Sequence, residues 1–568
     1  MRNLLVWSVL AVCSVSAVFS PAARAADEDK YAEHLLPPET LLFFSIPSVP
    51  DLLEQCKDST VGQMWVEPKL QPFIGSLKNK IEEAFKEHVE SELGVSLGDL
   101  IDLPQGEFTV ALIEKPARKL SVVLMIDCTD NEDTLDKLLE KLDQALTKND
   151  AEHSTQTIAD IEVHSYKLAN AGGGPVNTLS YCTDEGYVFF ATEVAALKSV
   201  LERWSGDNEN TLAKADVFAY IQDKCKSGDD EPVVKWYVDP ISLVKAALNM
   251  GNNPQQAAIA AAMMPVLGLD KLKGLGGGSH LGVEGFEGLT KAFVYVEQPP
   301  TGVLGVFQFP AIEQRPAKWI PSDTASYFSL NWNVEEAYNA IESLVDSLQG
   351  PGSVAKVVDA LATQEDGPHM HLKKDLVDQL SGRIDVVVQA PKIGGDEPPV
   401  PSFALALGVK DAAQMKNTIA KAVESDKFSG TTREVEGQTV YEMPTPQGNP
   451  ISFSVAADAI VLASTAELMD RIVKGQSRGS LADSDDYAKV SKAFPKKTSI
   501  ISFQRSDTQQ LQSLYDMLKT KDPDETVGVD FTKLPDFSVL KKYLRPSGSY
   551  AVPDKKGALF VGFSLRAE

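Results

Sequence analysis

Few residues combine the type and spacing that chemistry requires. His369-Met370-His371 is the closest histidine pair; two positions apart on a strand, both imidazoles would point one way and could reach one metal ion. The pair follows Gly367-Pro368, and no cysteine or third histidine stands near it, so it reads as a loop. Ser-x-x-Lys occurs at Ser242/Lys245 and Ser538/Lys541, without the Ser-Asp-Asn and Lys-Thr-Gly partners that penicillin-binding enzymes need. Asp522-x-Asp524-x-Thr526 alternates oxygens as a calcium loop does, but Gly528 comes one place late and the bidentate Glu is missing. The acidic patches Asp229-Asp230-Glu231, Asp396-Glu397 and Asp483 to Asp486 read as solvated turns. The glycine run Gly274 to Gly278 has Ser279 where a dinucleotide loop needs its third glycine. It follows a leucine-patterned segment rather than a strand, and reads as a helix stop. H-E-x-x-H, G-x-S-x-G and G-x-x-x-x-G-K-[ST] do not occur. The residues therefore assign no catalytic, metal or cofactor-binding position, and they lean away from an enzyme.

Cysteine carries the remaining reactive chemistry. Cys56, Cys128, Cys182 and Cys225 lie in the first half of the chain, none at C-x-x-C spacing. Four cysteines in an oxidising compartment point to two disulfides, with three possible pairings. Cys128–Cys182 with Cys56–Cys225 is the favoured set, because Cys128 ends one expected strand and Cys182 sits in a later one.

The compartment follows from the N-terminus. Arg2, the apolar run Leu4 to Val12 and Ala23-Arg24-Ala25 form a secretory signal, with the cut expected between Ala25 and Ala26. Leu10-Ala11-Val12-Cys13 only faintly resembles a lipoprotein box, since Val12 stands where a small residue is wanted. An acidic leader follows over 26–34. Ala257 to Leu269 is too short to span a bilayer and holds Pro265. A mature protein without a transmembrane segment, periplasmic or secreted, is expected. The chain of 568 residues has 54 Lys+Arg against 80 Asp+Glu, a formal charge of −26. Such acidity argues against nucleic acid and anionic lipid as partners, because phosphate binding needs clustered Lys and Arg.

The elements alternate. Leu135, Leu138, Leu139, Leu142 and Leu146 make one apolar stripe, so a helix is expected over Glu132 to Lys148 with Asp130 at its cap. Ser464-Thr465-Ala466-Glu467 opens another helix as a capping box. Thr109 to Ile113, Leu120 to Ile126, Tyr187 to Ala191, Phe403 to Leu407 and Ile451 to Val455 read as strands. Phe328, Leu330 and Trp332 alternate with Tyr327, Ser329 and Asn331, which suggests a sheet with one covered face and one wetter face. The fold class is α+β, with antiparallel sheets and helices packed on one face.

The pattern also recurs. Leu97-Gly98-Asp99-Leu100-Ile101-Asp102 and Gly106 match Lys373-Lys374-Asp375-Leu376-Val377-Asp378 and Gly382, always 276 positions apart. Pro38-Glu39-Thr40 matches Ser322-Asp323-Thr324, Tyr187 to Leu201 matches Ala459 to Val473, and Gly278-Ser279 matches Gly548-Ser549. Collinear landmarks of this kind signal duplication. Two tandem like lobes are expected, 35–310 and 318–568, joined by a Pro-containing linker over 311–317.

The runs LLPPET–LLFFSIPS, LGVSLGDLIDLPQGEFTVAL and LGLDKLKGLGGGSHLGVEGFEG resemble a family of large secreted bacterial proteins known only by a domain of unknown function. The resemblance implies an exported, duplicated α+β protein and supplies no catalytic residues. The functional expectation is a non-catalytic binding or scaffold module of the bacterial envelope, with an unknown envelope protein or polymer as partner. A hydrolase of envelope polymers and a carrier of an apolar ligand are the alternatives.

Overall fold

The computed structural model describes residues 30–90, 96–115, 119–168, 177–206, 209–251, 253–363, 370–390, 402–423, 428–446, 450–475, 479–506, 509–522 and 528–566. The expected signal segment and its expected cut after Ala25, and His369, Asp396, Glu397, Asp524 and Thr526, lie outside them. The described chain forms two compact units. Unit one holds the residues up to 259 with 273–295 and 518–543; unit two holds 260–272, 296–517 and 544–566.

Runs of β-branched and aromatic residues separated by short polar turns make unit one a succession of hairpins. Its strands are β1 (Thr40–Ile46), β2 (Phe108–Lys115), β3 (Lys119–Asp127), β4 (Glu152–Ile158), β5 (Ile161–Lys167), β6 (Thr178–Asp184), β7 (Tyr187–Ala191), β8 (Val234–Val238), β9 (Leu272–Leu281) and β10 (Phe286–Val296). They lie in the order β4-β5-β6-β7-β3-β2-β1-β8-β9-β10, antiparallel from β4 to β9. The helix Glu132–Lys148 spans the residues that its leucine stripe marks. Asn131 rather than Asp130 sits at its N-cap, and Asp130 takes φ 68° in the preceding turn.

Unit two contains β11 (Ser326–Asn331), β12 (Leu380–Gln389), β13 (Ser402–Val409), β14 (Thr431–Val435), β15 (Gln438–Met443), β16 (Ile451–Ala456), β17 (Ala459–Ala463), β18 (Ile500–Gln504), β19 (Ser547–Asp554) and β20 (Gly557–Leu565). The order is β14-β15-β16-β17-β13-β12-β11-β18-β19-β20. It repeats the order of unit one strand for strand. Phe43 stands between Ala111 and Tyr237 as Tyr327 stands between Val387 and Phe503. The turn before the first strand also recurs: the Thr40 hydroxyl donates to Pro37 O at 2.6 Å, and the Thr324 hydroxyl donates to Pro321 O at 2.6 Å.

Helices cover both faces of each sheet, not one. In unit one, Phe108, Leu124, Ile126 and Val188 pack under Val49, Leu53 and Leu135, residues of the helices Val49–Asp58 and Glu132–Lys148. The opposite face carries Phe43 and Phe189, which meet Phe218 and Trp204 of the helices Asp216–Cys225 and Val194–Trp204 at 5.5 and 5.2 Å between ring centroids. Unit two has Met415 on one face and Tyr487 on the other, the latter 5.6 Å from Phe503. The face of β11 expected to be wet is the more deeply buried one. Tyr327 and Ser329 are fully buried and Asn331 nearly so, while Phe328 and Leu330 are half-buried. Strand polarity misleads here because the buried hydroxyls and carboxylates serve an internal network.

The glycine run is also corrected. Gly274 to Gly278 lies within β9 and does not stop a helix. A Cβ on Gly276 would stand 2.9 Å from Ile221 Cγ2, and one on Gly548 would stand 2.5 Å from Val490 Cγ1. The glycines let the helix behind the strand approach closely. Gly276 faces Tyr237 as Gly548 faces Phe503, so the ladder aligns Gly548 with Gly276, two residues from the sequence match at Gly278.

Candidate functional site

Unit one buries a carboxylate at the start of β2. Glu107 precedes Phe108 and turns toward the face covered by the short helix Ala32–Leu35. Its Oε1 accepts from the Ser45 hydroxyl at 2.5 Å and the Thr109 hydroxyl at 2.9 Å, and its Oε2 accepts from Ala32 N–H at 2.8 Å. Glu33, on the same short helix, accepts from Lys235 Nζ at 2.9 Å through Oε1, while its Oε2 is buried without a hydrogen-bond partner. Lys235 also lies 3.4 Å from Glu231 and 5.4 Å from the centre of the Tyr31 ring.

Burial, and then the neighbouring Glu33 charge, push the Glu107 carboxyl up to about 7 against the pull of its three donors. Burial alone would lower the Lys235 ammonium, but Glu33 and Glu231 outweigh it and hold the group above its ordinary value. Burial, then Glu231, raises the Tyr31 hydroxyl. Chemically, the arrangement can hold and release a proton near neutrality. Glu107 is only 5% exposed and three internal donors surround it, so its chemistry is turned toward the fold.

Unit two builds a different network on the same rungs. Asp385 pairs with Ser329 as Thr109 pairs with Ser45, and Arg383, two residues before Asp385, takes the place of Glu107. Arg383 Nε donates to Asp385 Oδ2 at 2.8 Å; its Nη2 donates to Asp385 Oδ1 at 3.1 Å, Tyr327 Oη at 3.0 Å and Arg315 O at 2.5 Å. The Tyr327 hydroxyl donates to Asp385 Oδ1 at 2.7 Å. Burial, followed by the Asp385 charge, raises that hydroxyl well above its usual value.

The positions singled out in the sequence lie apart from these networks. All four cysteines are free thiols, so neither expected bridge is formed. Cys182 opposes Phe189 of β7, and Phe189 opposes Met125 of β3. β7 therefore stands between Cys182 and the β3 end at Cys128, farther apart than a disulfide allows. Burial raises the Cys56 thiol and pushes those of Cys182 and Cys225 up to about 12. His371 caps a helical turn, its Nδ1 accepting from Lys374 N–H at 3.3 Å. Ser242 lies in the first turn of the helix Pro240–Met250, where its N–H donates to Asp239 at 2.9 Å. Ser538 and Lys541 fall on the four-residue helix Ser538–Lys541. Asp486 pairs with Arg505 at 2.9 Å, and Asp522 follows the helix Gln509–Lys519.

The charged rungs were missed by motif search, although one signal was present. The 276-residue offset that aligns Gly106 with Gly382 also aligns Glu107 with Arg383 and Thr109 with Asp385. A lone Asp inside Ile384 to Gln389 is unusual for an apolar strand. Another pair comes together only through register: His153 on β4 and His164 on β5 stand 3.3 Å apart, Nε2 to Nδ1. Among the described residues, no group of three or more His, Cys, Asp or Glu could hold a metal ion. No described helix is long and apolar enough to cross a membrane.

A family model described as "Protein of unknown function (DUF3352)" matches residues 15–230. That segment carries β1 to β7 and the Glu107 network except for Glu231 and Lys235. No curated protein and no solved structure matches the chain.

Proposed function

We propose that this chain is an exported bacterial protein, a tandem duplication that serves as a non-catalytic binding or scaffold module of the envelope. The reading rests on one observation. The rung that holds Glu107 in unit one holds Arg383 in unit two, and each is met by donors or acceptors from its own unit. A duplicated active site would keep the sign of its charge, because acid–base work depends on it. A framework needs only that each buried charge be matched. The common strand order supports the duplication, and the signal-like N-terminus and acidity support export into the periplasm or beyond.

Purified protein incubated with peptidoglycan, envelope polysaccharide and envelope protein extracts tests the reading. The expected result is saturable co-sedimentation with one of them and no cleavage product. Product formation that Glu107→Gln abolishes would overturn it.

A further inference from the structure

One region of unit one is filled by large and charged side chains. The Trp204 indole lies 4.9 Å from Tyr187 and 5.2 Å from Phe189, and its Nε1–H donates to Asp184 at 2.7 Å. Lys30 covers the indole at 4.6 Å and pairs with Glu185. The β6–β7 turn and the helix Val194–Trp204 supply most of this plug.

The corresponding β16–β17 turn of unit two carries small side chains. The β16–β17 register places Ala456 and Ala457 where unit one has Asp184 and Glu185, and Ala459 where it has Tyr187. Ala457 and Glu185 share the same backbone, each at φ 45°. The helix Ala466–Lys474 ends at Gly475, the position of Arg203, and Gln476, at the position of Trp204, lies outside the described residues. Beside these small residues a surface cavity of about 460 Å³ is lined by described residues of unit two. That is the size of a small-molecule site, which typically runs to roughly 300–1,000 Å³.

The walls indicate the ligand. Trp319 is 7% exposed and presents an aromatic wall where unit one has Leu35. Gln438 lines the cavity with its Oε1 accepting from Lys416 Nζ at 2.7 Å, which leaves its amide N–H groups as donors. Lys318 stands on the rim, exposed, and makes no ion pair among the described residues. Among the described residues, no acidic side chain lines the cavity. We infer that unit two binds a small planar aromatic acid here, its ring against Trp319 and its carboxylate toward Lys318 and the Gln438 amide. Stacking against an aromatic wall suits the ring, and a lysine with an amide donor suits the carboxylate.

The inference does not depend on the scaffold reading, which stands or falls on polymer binding and turnover. Calorimetric titration of the full chain with indole-3-carboxylate and with indole tests it. The expected result is saturable binding of the acid to the wild type in the sub-millimolar range, about −5 kcal/mol or better. Lys318→Ala should weaken the acid about tenfold and leave indole unchanged. Ala457→Glu introduces the residue that unit one carries on the same backbone, so the turn accepts it, and its carboxylate should abolish binding of the acid. Ala456→Trp should remove both ligands, with circular dichroism confirming the fold. Absence of saturable binding to the wild type would overturn the inference, and so would binding indifferent to Lys318→Ala and Ala457→Glu.

Discussion

On the same rung of two like-ordered sheets, unit one buries Glu107, and unit two sets the partly exposed Arg383 on its buried partner Asp385. The backbones agree; the complements differ. Glu107 draws on two hydroxyls and a backbone N–H, whereas Arg383 draws on a carboxylate, a phenol and a backbone carbonyl. The comparison teaches that this fold accepts either sign of charge at this rung, provided the neighbours change with it. It also shows two electrostatic characters. Unit two has a formally paired ion at the rung. Unit one has a carboxyl that favours its neutral form, with the ion pair displaced to Glu33 and Lys235.

Substitutions on matched positions can break or sharpen this comparison. The largest effect is expected at Arg383. Arg383→Met leaves Asp385, 5% exposed at its side chain, without its cation. Removing one partner of a buried pair costs about 3–5 kcal/mol, which urea unfolding would read as an early transition of unit two. A cost under about 1 kcal/mol would show that the pair is not the support of that rung.

Next come the glycines that open the second strands. Gly382 takes φ 93°, and a Cβ there would lie 2.2 Å from Trp332 O. Gly106 needs no positive φ, and its Cβ would meet the Asp127 side chain, a neighbour less fixed than the backbone. Gly382→Ala should therefore cost about 2–3 kcal/mol and Gly106→Ala about 1 kcal/mol, read from the same unfolding curves. Equal losses would mean that the two turns are more alike than their backbones.

The smallest effects fall on the turn before the first strand. Thr40→Val removes the hydroxyl bond to Pro37 O, whereas Thr324→Val removes the bond to Pro321 O and also the one that the Gln389 amide donates to the Thr324 hydroxyl at 3.0 Å. Thr40→Val should therefore cost about 1 kcal/mol and Thr324→Val about 2 kcal/mol. Equal shifts in thermal unfolding would show that the Gln389 bond adds nothing to its turn.

Local order was legible in the sequence wherever one periodicity dominated. The helix Glu132–Lys148 follows its leucine stripe, and β7 spans the expected Tyr187 to Ala191. The capping box expected over Ser464 to Glu467 is displaced by one residue: Thr465 is the N-cap, its hydroxyl accepting from Leu468 N–H at 3.3 Å, while the Ser464 hydroxyl accepts from Phe403 N–H. Sheet faces were read less well. Ser329, Asn331 and Tyr327 have the polarity of a wet face, yet partners from distant segments bury them. Gly276 looked like a helix stop because its reason, the closeness of Ile221, comes from 55 residues away. The charged rungs were hidden for the same cause: Glu107 is set by Ala32 and Ser45, and Arg383 by Arg315 and Tyr327, none of them sequence neighbours. The matched offsets bring these positions together only once the two strand orders are aligned.

The most direct test of the closed network is the pH dependence of stability in wild type and Glu107→Gln. Folding raises the Glu107 carboxyl from the ordinary carboxylate range to about 7, so the folded state holds its proton more tightly than the unfolded state. Its contribution is complete below the unfolded value near about 4.3 and is lost as pH rises through the folded value. Urea unfolding from pH 5 to 9 should show wild type losing stability relative to Glu107→Gln as pH rises, with the steepest change below and around neutrality. A difference between the two proteins that stays constant with pH would contradict the account, because it would mean that Glu107 titrates as a solvated carboxylate open to outside groups.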